Sequence, residues 1–390
     1  MSDALADRFE SQGREWRDPL QIVSQWSDVA AADAGDLQAE ATGAWWDVLA
    51  ATGTTLIVSR EYEHLLLALN ATRRPRVSYL RLPHPSGVAF APDEDRLYVA
   101  STRNPNQLYA FSPLAGMLER ADVAEHAAPI RALLPERTWY LPGCSYIHDL
   151  AVIGGTLHAN AVGQNVVLAI ADGRARPVWW PAALERDGRP RTECNYIQLN
   201  SIAAGADLAG SYFSASGERP GELRPGHERY PVDGRGVIYS GATREPVVRG
   251  LTRPHSARLH QGSVWVDNSG YGEVGVARDG HFDVVTRLPG WTRGLGFAGG
   301  IAFVGTSRVI PRFRQYAPGL DVDRSVCGVH AVDLAGGQVL GSLLFPAGNQ
   351  IFAIEPVPAS WTPGFPFDET STSELGPALF YAYRLAGDTS

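Results

Sequence analysis

The sequence contains no lysine, so all 34 basic residues of the 390-residue chain are arginine. Without a lysine amine the chain cannot form a Schiff base with a substrate or with pyridoxal phosphate, and it cannot build a P-loop. No G-x-G-x-x-G segment opens a helical run. We therefore expect neither a pyridoxal-phosphate enzyme nor a protein with a nucleotide cofactor.

Cysteine and long apolar runs are also scarce. The three cysteines, Cys144, Cys194 and Cys327, are far apart and form no C-x-x-C pair, so neither a disulfide framework nor a structural zinc site is expected. No run reaches eighteen apolar residues, and the first residues, MSDALADRFESQGREW, lack an apolar signal region. With a net charge of -8, the chain has no electrostatic reason to bind nucleic acid or an anionic membrane. These features predict a cytoplasmic protein with no membrane or nucleic-acid partner.

One pattern recurs six times: a polar residue stands directly before a short apolar run. The six are Ser86 in SGVAF, His148 in HDLAV, Asn200 in NSIAA, His255 in HSARL, Arg293 in RGLGF and Gln350 in QIFAI. A repeat of about fifty residues is typical of a radial or solenoid array. We predict an all-β protein, a six-bladed β-propeller with seven blades as the alternative count. The six polar side chains would then form a ring around a central channel.

The ends of the chain suggest how such a circle closes. Residues 1–50 have apolar positions at helical spacing and predict a helical N-terminal extension, followed by a single propeller domain over residues 51–390. Three strand-like runs, TTLIVS, EHLLLALNA and RVSYLRLP, precede the first repeat, and a lone inner strand, Gln350–Glu355, follows the last. Pairing that strand with the three N-terminal runs would complete the sixth blade and leave no open edge. The run ALFYAYRL near the C-terminus has strand character and could add an outer strand.

The stretches CNYIQLNSIA, GLTRPHSARLHQGSVWVDNSGYGEVG and LPGWTRGLGFAGGIAFVGTSR carry the motifs PHS, NSG-GE and RGL-F in that order. In these motifs the chain resembles a bacterial family known as a conserved domain of unknown function, over roughly Trp45 to Pro356. The resemblance implies a β-propeller, sometimes encoded near biosynthetic gene clusters, and supplies no reaction. The family's IHDLAV is matched at Ile147–Val152 and its Leu-Asn pair at Leu199–Asn200. A histidine often precedes that pair in the family, and Gln198 stands there instead, which leaves the role of this position open.

The ring offers two kinds of chemistry. Two imidazoles and an amide oxygen, from His148, His255 and Asn200, could hold a divalent metal ion of unknown identity. Without a metal, His148 or His255 could act as a general base, and Arg293 could hold an anionic group. Tyr146 lies two residues before His148, hence on the same face of a strand, and could supply a proton.

Further polar residues are candidates for substrate binding: Ser86, Asn200, Asn268, Gln350 and Arg308. A polar residue on an inner strand can also serve only to bond the backbone of the next blade, so each candidate has a purely structural alternative. The sequence thus favours a small-molecule enzyme of a biosynthetic pathway, a lyase, isomerase or hydrolase that acts on an anionic or carbonyl-bearing substrate. The alternative is a non-catalytic binding or scaffold module that uses long loops with Trp139, Tyr140 and Tyr230.

Overall fold

A computed structural model describes residues 3–15, 29, 33–103, 106–117, 131–141, 143, 145–368 and 383–385. The protein is mainly β and forms a six-bladed propeller, which confirms the predicted fold class and blade number. Six antiparallel sheets lie around one axis, and their innermost strands contact one another in cyclic order. Cys144 lies outside the described residues.

The blades are numbered in chain order, each from its inner to its outer strand. Blade 1 contains β5 Pro85–Ala91, β6 Arg96–Ser101, β7 Asn106–Met117 and β8 Leu133–Leu141. Blade 2 contains β9 Ile147–Ile153, β10 Thr156–Ala161, β11 Val166–Ala171 and β12 Arg174–Trp179. Blade 3 contains β15 Leu199–Ala203, β16 Tyr212–Ala215, β17 Gly236–Ser240 and β18 Pro246–Leu251. Between blades 2 and 3, β13 Glu185–Arg186 and β14 Arg189–Pro190 form a small hairpin.

The second half of the ring is built in the same way. Blade 4 contains β19 Pro254–His260, β20 Ser263–Asn268, β21 Glu273–Arg278 and β22 His281–Arg287. Blade 5 contains β23 Trp291–Ala298, β24 Ile301–Ser307, β25 Gly328–Asp333 and β26 Val339–Leu344. Blade 6 contains β27 Ala353–Pro358, then β2 Thr54–Arg60, β3 Leu65–Asn70, β4 Arg76–Arg81 and the short β28 Phe367–Asp368.

Blade 6 joins the two ends of the propeller. Strand β27 pairs antiparallel with β2 from Thr54 opposite Pro358 to Ser59 opposite Ala353. The ladder satisfies backbone groups that would otherwise stand at an open sheet edge. Because the inner strand comes from one end of the chain and the other strands from the other end, the ring closes only when both ends are in place.

The six largest hydrophobic clusters lie between neighbouring blades, one at each contact between two blades. Strand side chains alternate between the two faces of a sheet, so each strand can supply both neighbouring clusters. In β2, Leu56 and Val58 pack toward blade 5, whereas Ile57 packs toward blade 1. This explains why the middle strands are apolar on both faces.

The N-terminal region combines helix and strand. Helix α1 spans Asp3–Glu15, helix α2 spans Trp45–Thr52, and β1 Glu40–Gly43 pairs with β26 as a fifth strand of blade 5. Trp45 is fully buried, with its ring 5.9 Å from the ring of Phe303. Residues 1–50 therefore contain a strand that helical periodicity did not predict. This strand forms because β1 pairs with the edge of β26, which lies far away in the sequence.

At the other end of the chain, β29 Tyr383–Leu385 pairs with β7, so the described part of the predicted C-terminal run adds an outer strand to blade 1. The rest of that run lies outside the described residues. Within the described part of the chain, no helix is long and apolar enough to cross a membrane.

Candidate functional site

A cavity of about 250 Å³ opens at the end of the channel where the inner strands begin. Polar side chains from five blades and from the loops above them surround it. Its lining includes the predicted residues Tyr146, His148, His255, Arg293, Arg308 and Gln350.

His255 turns one ring nitrogen toward the protein. Its Nδ1 lies 2.9 Å from the carbonyl oxygen of Arg253 and 3.0 Å from Oγ of Ser269. Ser269 donates its own proton to the carbonyl of Thr292 over 2.6 Å, so both neighbours of Nδ1 act as acceptors. Nδ1 therefore carries the ring proton, and Nε2 holds a lone pair that is available to a ligand in the cavity.

His148 has the opposite arrangement. Arg293 Nη2 donates to Nδ1 of His148 over 3.3 Å, and the guanidinium lies 3.3 Å from the ring centre of Phe352. A guanidinium only donates, so Nδ1 of His148 accepts, and the proton of the neutral ring is on Nε2. The rings of His148 and His255 stack with centres 6.4 Å apart. Nε2 of His148 is buried, and the side chain of Asn200 acts on His148 as a hydrogen-bond partner that raises its pKa, so the pair offers the cavity a base from His255 and no free N–H from His148.

Burial controls the charge of these groups. It lowers the pKa of both His148 and His255 well below 6.5, and the positive charge of Arg293 acts on each in the same direction. Both imidazoles are therefore neutral at pH 7. Burial also lowers the pKa of Arg293 to about 10, which leaves it protonated, and burial raises the pKa of Tyr146, so its phenol keeps its proton.

Asn200 joins two blades. Its amide nitrogen donates to the carbonyl of Pro254 in blade 4 over 2.8 Å and to Oγ of Ser216 over 2.9 Å. This is the structural role that an inner polar residue can have. Its Oδ1 is buried, and the Asn200 side chain acts on His148 as a hydrogen-bond partner that raises the pKa of that ring.

Of the three residues predicted to bind a metal, His148 lies beside both His255 and Asn200. The three nevertheless fit a metal ion poorly. Arg293 already occupies one nitrogen of His148, and its charge would oppose a divalent cation beside that ring. Among the residues that the structure describes, no group of three His, Cys, Asp or Glu side chains is arranged to hold a metal. The metal site stays a prediction, and His148, His255 and Asn200 would be its ligands only if Arg293 moved.

A second set of residues lies two positions before the ring positions; we call Tyr146, Gln198, Arg253 and Trp291 the mouth layer, because all four line the cavity. Three of them have left-handed backbone, with φ of 50° at Tyr146, 52° at Gln198 and 54° at Arg253. His84 has the same position and conformation in blade 1 but does not line the cavity. The shared bend presents these side chains at the start of each inner strand, although left-handed backbone is uncommon for residues other than glycine.

Below the ring lies another group of charged side chains, which we call the lower layer: Asp149, Arg258 and Glu355. Asp149 follows His148 directly and faces the other way, as alternation requires. Its two carboxylate oxygens accept from Arg258 at 2.7 and 3.0 Å. Asp149 is therefore committed to this ion pair and cannot act beside His148.

Three predicted binding residues, Asn200, Asn268 and Ser86, do not line the cavity. The amide of Asn268 accepts from the backbone N–H of Thr252 over 2.6 Å and donates to Glu273 over 2.8 Å. Ser86 is fully buried, and its hydroxyl has no partner among the described residues. The structure assigns Asn268 to a turn and leaves Ser86 inside the channel wall.

The other two, Gln350 and Arg308, line the cavity, and the side-chain oxygen of Gln350 has no hydrogen-bond partner among the described residues. Gln350 is buried, and its backbone N–H lies 3.3 Å from a carboxylate oxygen of Glu63. Arg308 is held by three backbone carbonyl oxygens, those of Gly348, Ser325 and Pro346. We therefore assign Arg308 to loop structure.

Sequence reasoning missed several lining residues, among them Arg253, Trp291 and Glu61. The spacing that selected Tyr146, two residues before a ring position, would also have selected Arg253 and Trp291. Glu61 lies in the turn between β2 and β3, and no spacing signal points to it because blade 6 is assembled from both chain ends. Its carboxylate accepts from Arg103 over 3.0 Å.

The predicted binding-module surface is only partly exposed. Tyr140 has 58% of its surface exposed, whereas Trp139 and Tyr230 are half-buried. Trp139 packs directly over Gly173 of the next blade. These residues form no continuous aromatic face.

The sequence profile of a family described as "Domain of unknown function (DUF4915)" matches residues 43–365. No curated protein matches the chain. Among solved structures, a chain of the nidogen/laminin complex is similar at a TM-score of 0.51 and 10% identity, over 78% of this chain and 98% of that one. A gluconolactonase from Xanthomonas campestris gives 0.40 and 14%, over 76% and 86%, and virginiamycin B lyase from Staphylococcus aureus gives 0.39 and 11%, over 79% and 99%. At such identities only the fold is shared, and no activity follows.

Proposed function

The chain belongs to the DUF4915 family, a domain of unknown function, and we propose that it is a small-molecule enzyme that works by acid–base catalysis at the channel mouth. The reaction class is a lyase, isomerase or hydrolase, and the substrate is anionic or carbonyl-bearing. In this proposal His255 is the general base, Tyr146 donates a hydrogen bond or a proton, His148 positions Arg293, and Arg293 holds an anionic group.

The observation that carries the proposal is the pair of opposite tautomers. His255 has its Nδ1 proton bound to the protein and a lone pair on Nε2, while His148 has its lone pair bound by Arg293 and a proton on Nε2. His255 thus supplies a base, His148 holds Arg293 in place, and the phenol of Tyr146 in the same cavity supplies the donor that proton transfer also requires. Packing of the inner strands alone needs neither arrangement.

The charges suggest how binding would activate the base. Burial is the first cause of the low pKa of His255, and the charges of Arg293 and Arg253 are the next. An anionic substrate beside these guanidinium groups would offset the last two causes, so the basicity of His255 would rise when substrate binds. His255 Nε2 would then take a proton from the substrate, and the phenol of Tyr146 and the guanidinium of Arg293 would stabilise the negative charge that develops.

Metal assistance, a place in a biosynthetic pathway and a cytoplasmic location stay predictions. A metal would supply a Lewis acid or an activated water at the same mouth. His148, His255 and Asn200 could hold it only after Arg293 released His148.

The test compares the wild type with His255→Gln and His260→Gln. His260 is a matched control because it lies at the far end of the same strand, stacks on Phe297 with ring centres 4.1 Å apart, and does not line the cavity. Each protein is incubated with a small-molecule extract of its source organism, and mass spectrometry follows the compounds that disappear. Circular dichroism checks that all three proteins are folded.

We expect the wild type and His260→Gln to consume the same compound and His255→Gln to consume it at least a hundredfold more slowly, as for loss of a general base. Equal consumption by folded His255→Gln, or no consumption by the wild type, would contradict the proposal. A plot of rate against pH on the identified substrate would then report the ionisation of His255 in the bound state.

A further inference from the structure

The cavity is rich in positive charge although the protein as a whole is acidic, with a net charge of -8. Its lining contains five arginines and only two carboxylates: Arg224, Arg253, Arg293, Arg308 and Arg312 against Glu61 and Glu228. Glu61 is already bound to Arg103. The excess of guanidinium groups predicts an anionic ligand.

Other buried arginines of the protein have a carboxylate partner. Arg60 lies 3.3 Å from Glu63, and Arg258 lies 2.7 Å from Asp149. Burying an unpaired charge is expensive, so such pairing is the rule in protein interiors.

Arg253 departs from this rule. It is 2% exposed, donates to the side chain of Gln198 and to the carbonyl of Pro225, and stacks 3.7 Å from the ring centre of Tyr316. These acceptors take two of its five N–H groups, and no carboxylate among the described residues pairs with it. Burial lowers its pKa to about 10, so it still carries its charge at pH 7.

Arg293 is half-buried and has no carboxylate within ion-pair distance among the described residues, although the charge of Glu61 acts on it. It donates to Nδ1 of His148 and lies on the ring of Phe352. The charges of both Arg293 and Arg253 act on His255. The two unneutralised guanidinium groups therefore stand near the same candidate base.

We propose that the ligand of this cavity carries two anionic groups, one bound by Arg253 and one by Arg293, with the reacting carbon between them and near Nε2 of His255. Each anionic group is a carboxylate or a phosphate, both of which match the planar donor fork of arginine. The inference rests on the proposed function only in taking the cavity as the substrate site. It names the substrate class, and Gln198 becomes a positioning residue because it orients Arg253.

A ligand with one anionic group would leave one of the two cations buried without a partner. A ligand with two would neutralise both and would also remove both charges that disfavour protonation of His255. Recognition and chemistry would then fall to different residues. Arg253 of the mouth layer would recognise one anionic group, whereas His255 and Arg293 of the ring would carry the chemistry and hold the other.

The experiment measures binding, so it does not depend on turnover. Calorimetry at low salt is run with a series of linear dicarboxylates of three to six carbons, with phosphoglycolate, and with matched monocarboxylates and amides of the same length. The series covers the unknown spacing between the two anionic sites, and phosphoglycolate distinguishes phosphate from carboxylate recognition. The proteins are the wild type, Arg253→Gln, Arg253→Lys, Arg293→Gln, Gln198→Ala and the control Arg249→Gln.

Arg249 is an exposed arginine of β18 that pairs with Glu218 outside the cavity. We expect at least one dianion to bind the wild type and Arg249→Gln tenfold or more tightly than its monoanionic analogue. Arg253→Gln and Arg293→Gln should each reduce dianion affinity to the level of the monoanion. Arg253→Lys keeps the charge and should retain part of the preference, and Gln198→Ala should weaken dianion binding with little change for the monoanion.

Equal affinity for dianions and monoanions, no binding of any dianion, or an equal loss in Arg249→Gln would overturn the inference. The same titrations on His255→Gln separate the two proposals. Dianion binding that persists in His255→Gln, together with unchanged turnover, would refute the proposed base and leave the ligand class standing. If the wild type showed no preference for dianions while its turnover still depended on His255, the ligand class would be refuted and the proposed base would stand.

Discussion

Glu355→Gln should remove a pH dependence of stability that originates in the lower layer. Glu355 lies on the inner strand of blade 6, and its Oε1 accepts from the backbone N–H of Phe90 over 3.0 Å. Burial raises its pKa from 4.5 to about 7, and the nearby charge of Arg258 opposes that rise. The folded state therefore binds this proton more tightly than the unfolded chain does.

The sign and size of this pH dependence follow from the difference in proton binding between the folded and the unfolded state. The contribution of Glu355 to the free energy of unfolding is fully present below pH 4.5 and is lost as the pH rises through about 7. One pKa unit corresponds to about 1.36 kcal/mol, so the whole loss is about 3 kcal/mol. Glutamine keeps an oxygen for Phe90 and cannot ionise. We expect Glu355→Gln to match the wild type at pH 4.5 and to exceed it by about 3 kcal/mol at pH 8.

Urea unfolding followed by tryptophan fluorescence at several pH values from 4.5 to 8 measures this difference. Glu245→Gln, which replaces an exposed carboxylate, is the control and should follow the wild type at every pH. A difference between Glu355→Gln and the wild type that stays constant with pH, or that grows as the pH falls, would refute the reasoning.

Two further predictions concern contacts between blades. Gly87→Ala should lower the free energy of unfolding by about 1–3 kcal/mol, because its Cβ would lie 2.5 Å from the backbone nitrogen of Leu150, whereas Gly221→Ala, with its nearest contact at 3.8 Å, should be nearly neutral in the same urea titration. Arg258→Met should cost about 3–5 kcal/mol because it leaves the Asp149 carboxylate buried without its partner. Adding Asp149→Asn should recover part of that loss, and an equal loss in the single and double variants would contradict this explanation.

The blade number could be predicted from the sequence because it depends on local signals. Each inner strand is an apolar run behind one polar residue, and the numbers of strands left at the two chain ends agree on six. The strand Glu40–Gly43 could not be found this way. Its sequence, EATG, has little strand character and all four residues are exposed, so its structure depends on pairing with β26 about 300 residues later.

The six polar residues of the inner-strand ring were easier to predict than the residues that surround them in the cavity. His148, His255 and Arg293 stand at equivalent places in the repeat, and the structure brings them to one cavity. Asn268 looked similar in type, but its hydrogen bonds to Thr252 and Glu273 commit it to a turn. Which nitrogen of each histidine is free depends on partners from other strands and loops, and no spacing in the sequence specifies these.

Arg253 shows why recognition was harder to predict than chemistry. Its backbone is left-handed, and such a conformation costs about 1–3 kcal/mol at a residue other than glycine. The same bend recurs at Tyr146 and Gln198 with three unrelated side chains, so the position in the blade, and not the residue type, fixes the conformation. Residue type therefore does not mark the bend, and only the spacing of two residues before a ring position points to it. Because His84 has the same bend without lining the cavity, the geometry of the blade explains the bend, and the residue that each blade places there decides whether a charged group enters the cavity.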